Sequence, residues 1–149
     1  MAMAHDESGR KDILTKEYSK VNQGILKEVE LLVTQCNEHD GIKGMVPMDT
    51  SFNFNKEMNT IFLGYENDKL VSALSVFAPG QGEAEIYAMT LPEYRQKGYF
   101  KGLVQKAEEE LKKYAVPEII FVCEEQSATG KAAIEKQAAE YGFTEYVLR

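Results

Sequence analysis

The sequence contains no apolar run long enough to cross a bilayer, and its N-terminus lacks the apolar core of a secretory signal. Cysteine is scarce: Cys36 and Cys123 are the only two, and neither lies in a CxxC pair. A disulfide framework is therefore not expected, and a reducing cytoplasm is the simpler setting. Positive charge is not in excess either. A net charge of −7 argues against a nucleic-acid binder, whose affinity rests on neutralising phosphates. It leaves room for a cationic small molecule or a basic peptide segment. Histidine is limited to His5 and His39. His39, with Asp40 and Cys36 nearby in sequence, has no second ligand cluster and reads as a helix C-terminal cap or surface residue, so no metal site is expected. Internal repeats and low-complexity linkers are absent.

What is present suits one globular domain with a real core: 149 residues, 44% apolar and 28% charged. Residues 1–10, MAMAHDESGR, are small, polar and unpatterned, and read as a disordered lead to a single domain over 11–149. Apolar residues recur at helical spacing from Tyr18 to Cys36, in a helix ending near the glycine of HDG at 39–41. The stretch 42–59 is poorly patterned and reads as a functional loop or short helix. TIFLGYE (60–66) and LVSALSVFA (70–78) then form a hairpin through NDK. EAEIYAMTL (83–91) is a third strand, with Ala84, Ile86, Ala88 and Thr90 on one face and Glu85, Tyr87 and Met89 on the other.

Helical spacing returns at Phe100, Leu103, Val104, Ala107, Leu111 and Tyr114. The EEE run at 108–110 reads as a solvated helix face. PEIIFVCEE (117–125) is a buried-type strand in which Cys123 is read as a small core residue, with a nucleophile as the lesser alternative. Residues 128–142 read as a helix and FTEYVLR (143–149) as a last short strand. This is an α/β order, an antiparallel meander followed by a helix-crossed parallel pair.

Between the third strand and the helix lies LPEYRQKGYFKG (91–102). A helix N-terminus presents backbone N–H groups without intrahelical partners and a partial positive charge, and an anion satisfies both. Gly98 would let a phosphate approach the main chain, while Arg95, Lys97 and Lys101 would add mobile positive charge. The turn is neither a P-loop nor a dinucleotide fingerprint, because the lysine–serine/threonine ending and the spaced glycines are missing.

The whole segment EAEIYAMTLPEYRQKGYFKGLVQKAEEEL (83–111) resembles the acetyl-CoA binding motif of the GNAT family of N-acetyltransferases. The strand, the proline, the tyrosine before the arginine, the arginine-to-glycine spacing and the amphipathic helix agree together. Phe100 stands where the family has a small residue, and it heads the apolar stripe. The resemblance implies a mixed, mostly antiparallel sheet flanked by helices. It also implies acetyl-CoA as cosubstrate and transfer of its acetyl group to a primary amine. By the same resemblance, Arg95, Gln96, Lys97, Gly98, Tyr99, Phe100 and Lys101 surround the pyrophosphate. The main chain of Ala88, Met89 and Thr90 pairs with the pantetheine arm like an added strand, and Gln126 or Ser127 bonds the same arm.

Glu85 matches the basic glutamate of some members, with Glu83, Glu124 and Glu125 as lesser candidates. The family's acidic tyrosine position holds Ala138; Tyr141 is the candidate acid, and Tyr87 and Tyr146 are alternatives. That departure keeps open a non-catalytic acyl-CoA-binding or regulatory module. FTEYVLR leaves room for one closing strand where the family has two. Either the domain is a shortened variant, or a second copy completes its edge in a homodimer, or it is one half of a longer protein. Acceptor recognition is expected from the loop at 42–59 and the groove beside Glu85, with neither nucleic acid nor membrane as partner.

Overall fold

The computed structural model describes residues 13–123 and the backbone of 146–148. The elements run β1 (Ile13–Tyr18), α1 (Gln23–Asp40), β2 (Ile61–Glu66), β3 (Lys69–Phe77), β4 (Glu83–Thr90), a 3-10 turn (Pro92–Tyr94), α2 (Tyr99–Lys113), β5 (Glu118–Cys123) and β6 (Tyr146–Leu148). The described strands form one sheet, six strands in chain order. β1 to β4 pair antiparallel, whereas β4–β5 and β5–β6 are parallel. The mixed, mostly antiparallel architecture is thus the one expected. The helix read at 128–142 and the lead at 1–10 lie outside the described residues.

Local chemistry sets most boundaries. The Asn22 side chain accepts the Ile25 N–H at 2.9 Å, so α1 begins after Asn22 and not at Tyr18. Tyr18 is instead the last residue of β1, a strand that the sequence reading does not contain. ILTKEY has no clean alternation, and pairing with β2, more than propensity, makes it a strand. Gly41 closes α1 at φ 67°, its N–H bonded to Asn37 O at 2.8 Å. Asn67 and Asp68 both take positive φ, 52° and 68°, as a tight two-residue hairpin requires.

Each face of the sheet carries its own core. Phe62, Leu74, Val76, Ala84 and Ile86 pack with Leu103, Val104, Ala107 and Leu111 of α2. Ile61, Leu63, Val71 and Ala73 pack with Val29, Leu32 and Cys36 of α1. The product is a helix–sheet–helix sandwich. Truncating a side chain as buried as Leu103 to alanine costs roughly 2–5 kcal/mol in such a core.

The solvated reading of EEE fails at Glu110, which is 5% exposed. Its Oε2 accepts the Asn59 N–H at 2.8 Å and its Oε1 meets Lys113 Nζ at 2.9 Å. Burial is tolerable there because the carboxylate closes the end of the 42–59 stretch. That stretch forms neither helix nor strand. Its second half is nonetheless pinned: the buried Asn53 accepts the Ala78 N–H at 2.8 Å, and Phe54 N donates to Ala78 O at 2.7 Å.

Candidate active site

The sheet divides in the middle of β4. The β4–β5 ladder runs from Glu83 opposite Glu118 to Ile86 opposite Phe121 and stops there. β4 then continues to Thr90 in register with β3, while β5 continues to Cys123 beside β6. The direction of the β4 groups beyond the split follows from strand geometry. Leu91 N donates to Val71 O at 2.8 Å, so Leu91 bonds toward β3. Antiparallel pairing alternates, so Met89 and Tyr87 do the same, while Ala88 and Thr90 turn their N–H and C=O groups toward the split. Among the described strands, the ladder offers those groups no partner.

At the end of β4 the chain makes the turn read from the sequence. Gln96 and Gly98 sit at φ 63° and 91°, both in the left-handed region. Such alternation folds successive N–H groups into an anion-binding concavity. A β-carbon on Gly98 would meet nothing within 4 Å, so the concavity opens outward. Helix α2 starts immediately after it, with Gly102 N bonded to Gly98 O at 2.9 Å as the first helical bond. The N–H groups of Tyr99 and Phe100 therefore precede the helical ladder. Gln96, Lys97 and Lys101 are exposed around this turn. Lys97 Nζ lies 5.3 Å from the centre of the Tyr94 ring, a cation–π contact that Lys69 also makes, at 5.6 Å.

Arg95 departs from the expected mobile charge. Its guanidinium donates to both Asp40 oxygens, Nη1 to Oδ1 at 2.9 Å and Nη2 to Oδ2 at 2.7 Å, and its Nε donates to Thr90 O at 2.8 Å. The Cys36 Sγ donates weakly to the same carbonyl at 3.5 Å. The hydrogen bond from Arg95 holds the Asp40 carboxyl below its ordinary range, and burial pushes the Cys36 thiol up. Asp40 is the site-forming residue that sequence reasoning missed. It stands 55 positions from Arg95, and nothing local marks the pair.

The side chains of Tyr99 and Phe100 both leave the turn. Tyr99 is buried, with its hydroxyl donating to Glu66 Oε1. Burial, together with the Glu66 contact, pushes the Tyr99 phenol above its usual range. Phe100 packs on the α2-side core, its ring 6.2 Å from that of Phe121. The bulky residue at the family's small position thus faces inward and leaves only its main chain at the turn.

Glu85 is the last polar residue before the split, opposite Ile120. Tyr87 donates its hydroxyl to Glu85 Oε1 at 2.7 Å. Glu85 also lines a cavity of about 250 Å³ with Glu83, Glu118 and Phe77. A larger groove, about 730 Å³, lies between α1 and the first half of the 42–59 loop, walled by Val29, Val33, Met45 and Met48 and rimmed by Glu30 and Asp49. Gly44 ties that loop to the site. It exchanges two 3.0 Å hydrogen bonds with the Asn37 amide, and its main chain packs on Met89. No group of three His, Cys, Asp or Glu residues suited to a metal occurs among the described residues. Tyr141, Ser127, Gln126, Glu124, Glu125 and Ala138 lie outside the described residues, as do the side chains of Cys123 and Tyr146.

A family model described as "Acetyltransferase (GNAT) family" matches residues 26–145. No curated protein matches the sequence. Among solved structures, an acetyltransferase from Streptococcus agalactiae is similar with a TM-score of 0.67 at 18% identity, over 84% of this chain and 81% of that one. The ribosomal-protein-S18-alanine N-acetyltransferase from Escherichia coli is similar with a TM-score of 0.61 at 17% identity, over 90% and 80% of the two chains. An aminoglycoside N-acetyltransferase in complex with CoA is similar at 0.56 and 14% identity, over 91% and 90%. At these identities the structural likeness carries the fold. The family model spans most of the chain. The chain belongs to the GNAT family of acetyltransferases.

Proposed function

We propose that the protein is an N-acetyltransferase that moves the acetyl group of acetyl-CoA to a primary amine. The observation that carries this reading is the split after Ile86, which turns Ala88 and Thr90 outward beside the left-handed turn at Gln96 and Gly98. An amide-bearing arm can add to that edge as a strand does, while its pyrophosphate lies over the N-terminus of α2. The main chain of Gln96 to Lys101 and the cations of Lys97 and Lys101 would surround the phosphates.

In this reading the amine nitrogen attacks the thioester carbon, the carbon–sulfur bond breaks, and CoA leaves as thiolate. A main-chain N–H on the open edge stabilises the oxyanion. Glu85 takes the proton from the incoming ammonium, and Tyr141 returns one to the thiolate. The carboxylates of Glu83, Glu85 and Glu118 around one cavity suit a cationic acceptor. The solved neighbours include enzymes named for an aminoglycoside and for the alanine of a ribosomal protein. A small polycation and a peptide amine are accordingly the two acceptor classes to test. The reading includes a cytoplasmic setting and a homodimer; the exposed Ile13 and Leu14 on β1, the outermost of the described strands on that side, favour association.

The test is acetyl-CoA calorimetry followed by thiol release with polyamine, aminoglycoside and peptide acceptors. Saturable binding is expected, with turnover on at least one acceptor. Glu85→Gln should lower kcat roughly 100-fold while leaving donor affinity intact. No acetyl-CoA binding by the intact protein would end this reading. Binding without thiol release from any acceptor would leave a non-catalytic acyl-CoA module.

A further inference from the structure

We propose that Asp40 is a positioning residue for the donor, acting through Arg95 on the open edge of β4; the proposal rests on the donor-site reading above. The geometry is a chain of contacts from α1 to the edge. Asp40, the last residue of α1, accepts from both terminal nitrogens of Arg95, at 2.9 and 2.7 Å. The side chains are only 14% and 19% exposed. A planar guanidinium gripped by two oxygens has one orientation, and that orientation leaves Nε aimed at Thr90 O, 2.8 Å away.

Thr90 O is one of the groups that strand alternation directs into the split. Its acceptor capacity is met by Arg95 Nε and, one turn earlier on α1, by Cys36 Sγ. A bound amide chain therefore finds Ala88 N–H, Ala88 C=O and Thr90 N–H, and is refused the next carbonyl. That difference sets where strand-like pairing ends and where the chain must bend toward the phosphate turn. The same clamp holds the side chain of Arg95, next to the left-handed Gln96, so it also fixes the start of the anion cradle. Without Asp40 the guanidinium loses the fork that orients it, and Thr90 O rejoins the open edge.

The test compares wild type with Asp40→Asn, Arg95→Met, the double variant and Asp40→Glu. Acetyl-CoA affinity is read by calorimetry, KM and kcat by thiol release, and folding by thermal midpoint. Asp40→Asn should weaken acetyl-CoA binding about tenfold and raise its KM in step, with kcat within about twofold. The double variant should bind no worse than Arg95→Met alone, and Asp40→Glu should recover part of the loss. If Asp40→Asn fails to fold, Arg95→Lys, which keeps the charge but not the fork, should show the same weakening. A lowered midpoint with wild-type affinity would make the clamp merely structural and overturn the proposal, as would independent, additive losses. If wild type itself does not bind acetyl-CoA, the donor-site reading fails and the proposal falls with it.

Discussion

Tyr99 stands over Gly64 so closely that a β-carbon on the glycine would lie 3.2 Å from Tyr99 Cδ1. The missing side chain on β2 admits the ring, and the phenol then reaches the buried Glu66 carboxyl two residues on. Tyr99 is also the first residue of α2. The contact therefore sets the helix start, and with it the turn at Gly98, against the centre of the sheet.

Removing the phenol tests that anchor. Tyr99→Phe keeps the ring but not the hydrogen that Glu66 accepts, and should cost about 1–3 kcal/mol. Gly64→Ala should cost about the same through overpacking, because the ring must give way. Each should lower the thermal midpoint by roughly 2–10 °C. Unchanged midpoints in both variants would show that α2 is held elsewhere.

The two left-handed residues of the turn should respond with opposite signs. Gly98→Ala meets no atom within 4 Å, yet it places a β-carbon at φ 91°, which should cost about 1–2 kcal/mol. Gln96 already bears that strain at φ 63°, so Gln96→Gly should be neutral to stabilising by up to about 1 kcal/mol. Urea titrations separate the two. Gly98→Asp adds an anion at the cradle and should weaken acetyl-CoA binding at least about tenfold.

Asn53 decides whether the 42–59 loop is a fixed wall. It is 3% exposed and accepts the Ala78 N–H at 2.8 Å. Asn53→Ala leaves that N–H without its acceptor and should cost about 1–3 kcal/mol. If the loop recognises the acceptor, the acceptor KM should rise while acetyl-CoA affinity holds. Faster hydrogen exchange at Ala78 would locate the loss.

Asp40 should leave a signature in acid. Its carboxyl is held below the ordinary value of 3.8, chiefly by the Arg95 hydrogen bond. A depressed carboxyl contributes stability that is full above the unfolded value and is lost as pH falls through the folded one. The stability gap between wild type and Asp40→Asn should therefore be present at about pH 5 and above and should shrink below about pH 4. Denaturant midpoints at pH 7, 5, 4 and 3 check it. A gap that persists unchanged at pH 3 would show that the pair contributes through packing and not through charge.

The turn after β4 was legible because its signals are local. The alternation of β4, the proline after it, the arginine-to-glycine spacing and the apolar stripe from Phe100 all lie within about one strand and one helix. The inward turn of Phe100 was legible too, since its place in the stripe already assigned it to the core. β1 was not, because its six residues carry no clean period and become a strand only by lying against β2. Glu110 was misread for a related reason. A glutamate within EEE looks solvated until the chain at Asn59 brings an N–H to it.

By itself, the sequence determined the order of elements from α1 to β5, the alternation of side chains along β4, and a helix N-terminus behind Gly98. Each follows from side-chain periodicity or a backbone requirement that neighbouring residues express. Only the tertiary structure decided that the sheet parts after Ile86, that Thr90 O is capped, and that Arg95 is gripped by Asp40 instead of standing free. Those are relationships between groups up to 55 positions apart. No local pattern encodes them, because they arise where packed layers bring separate segments to one place.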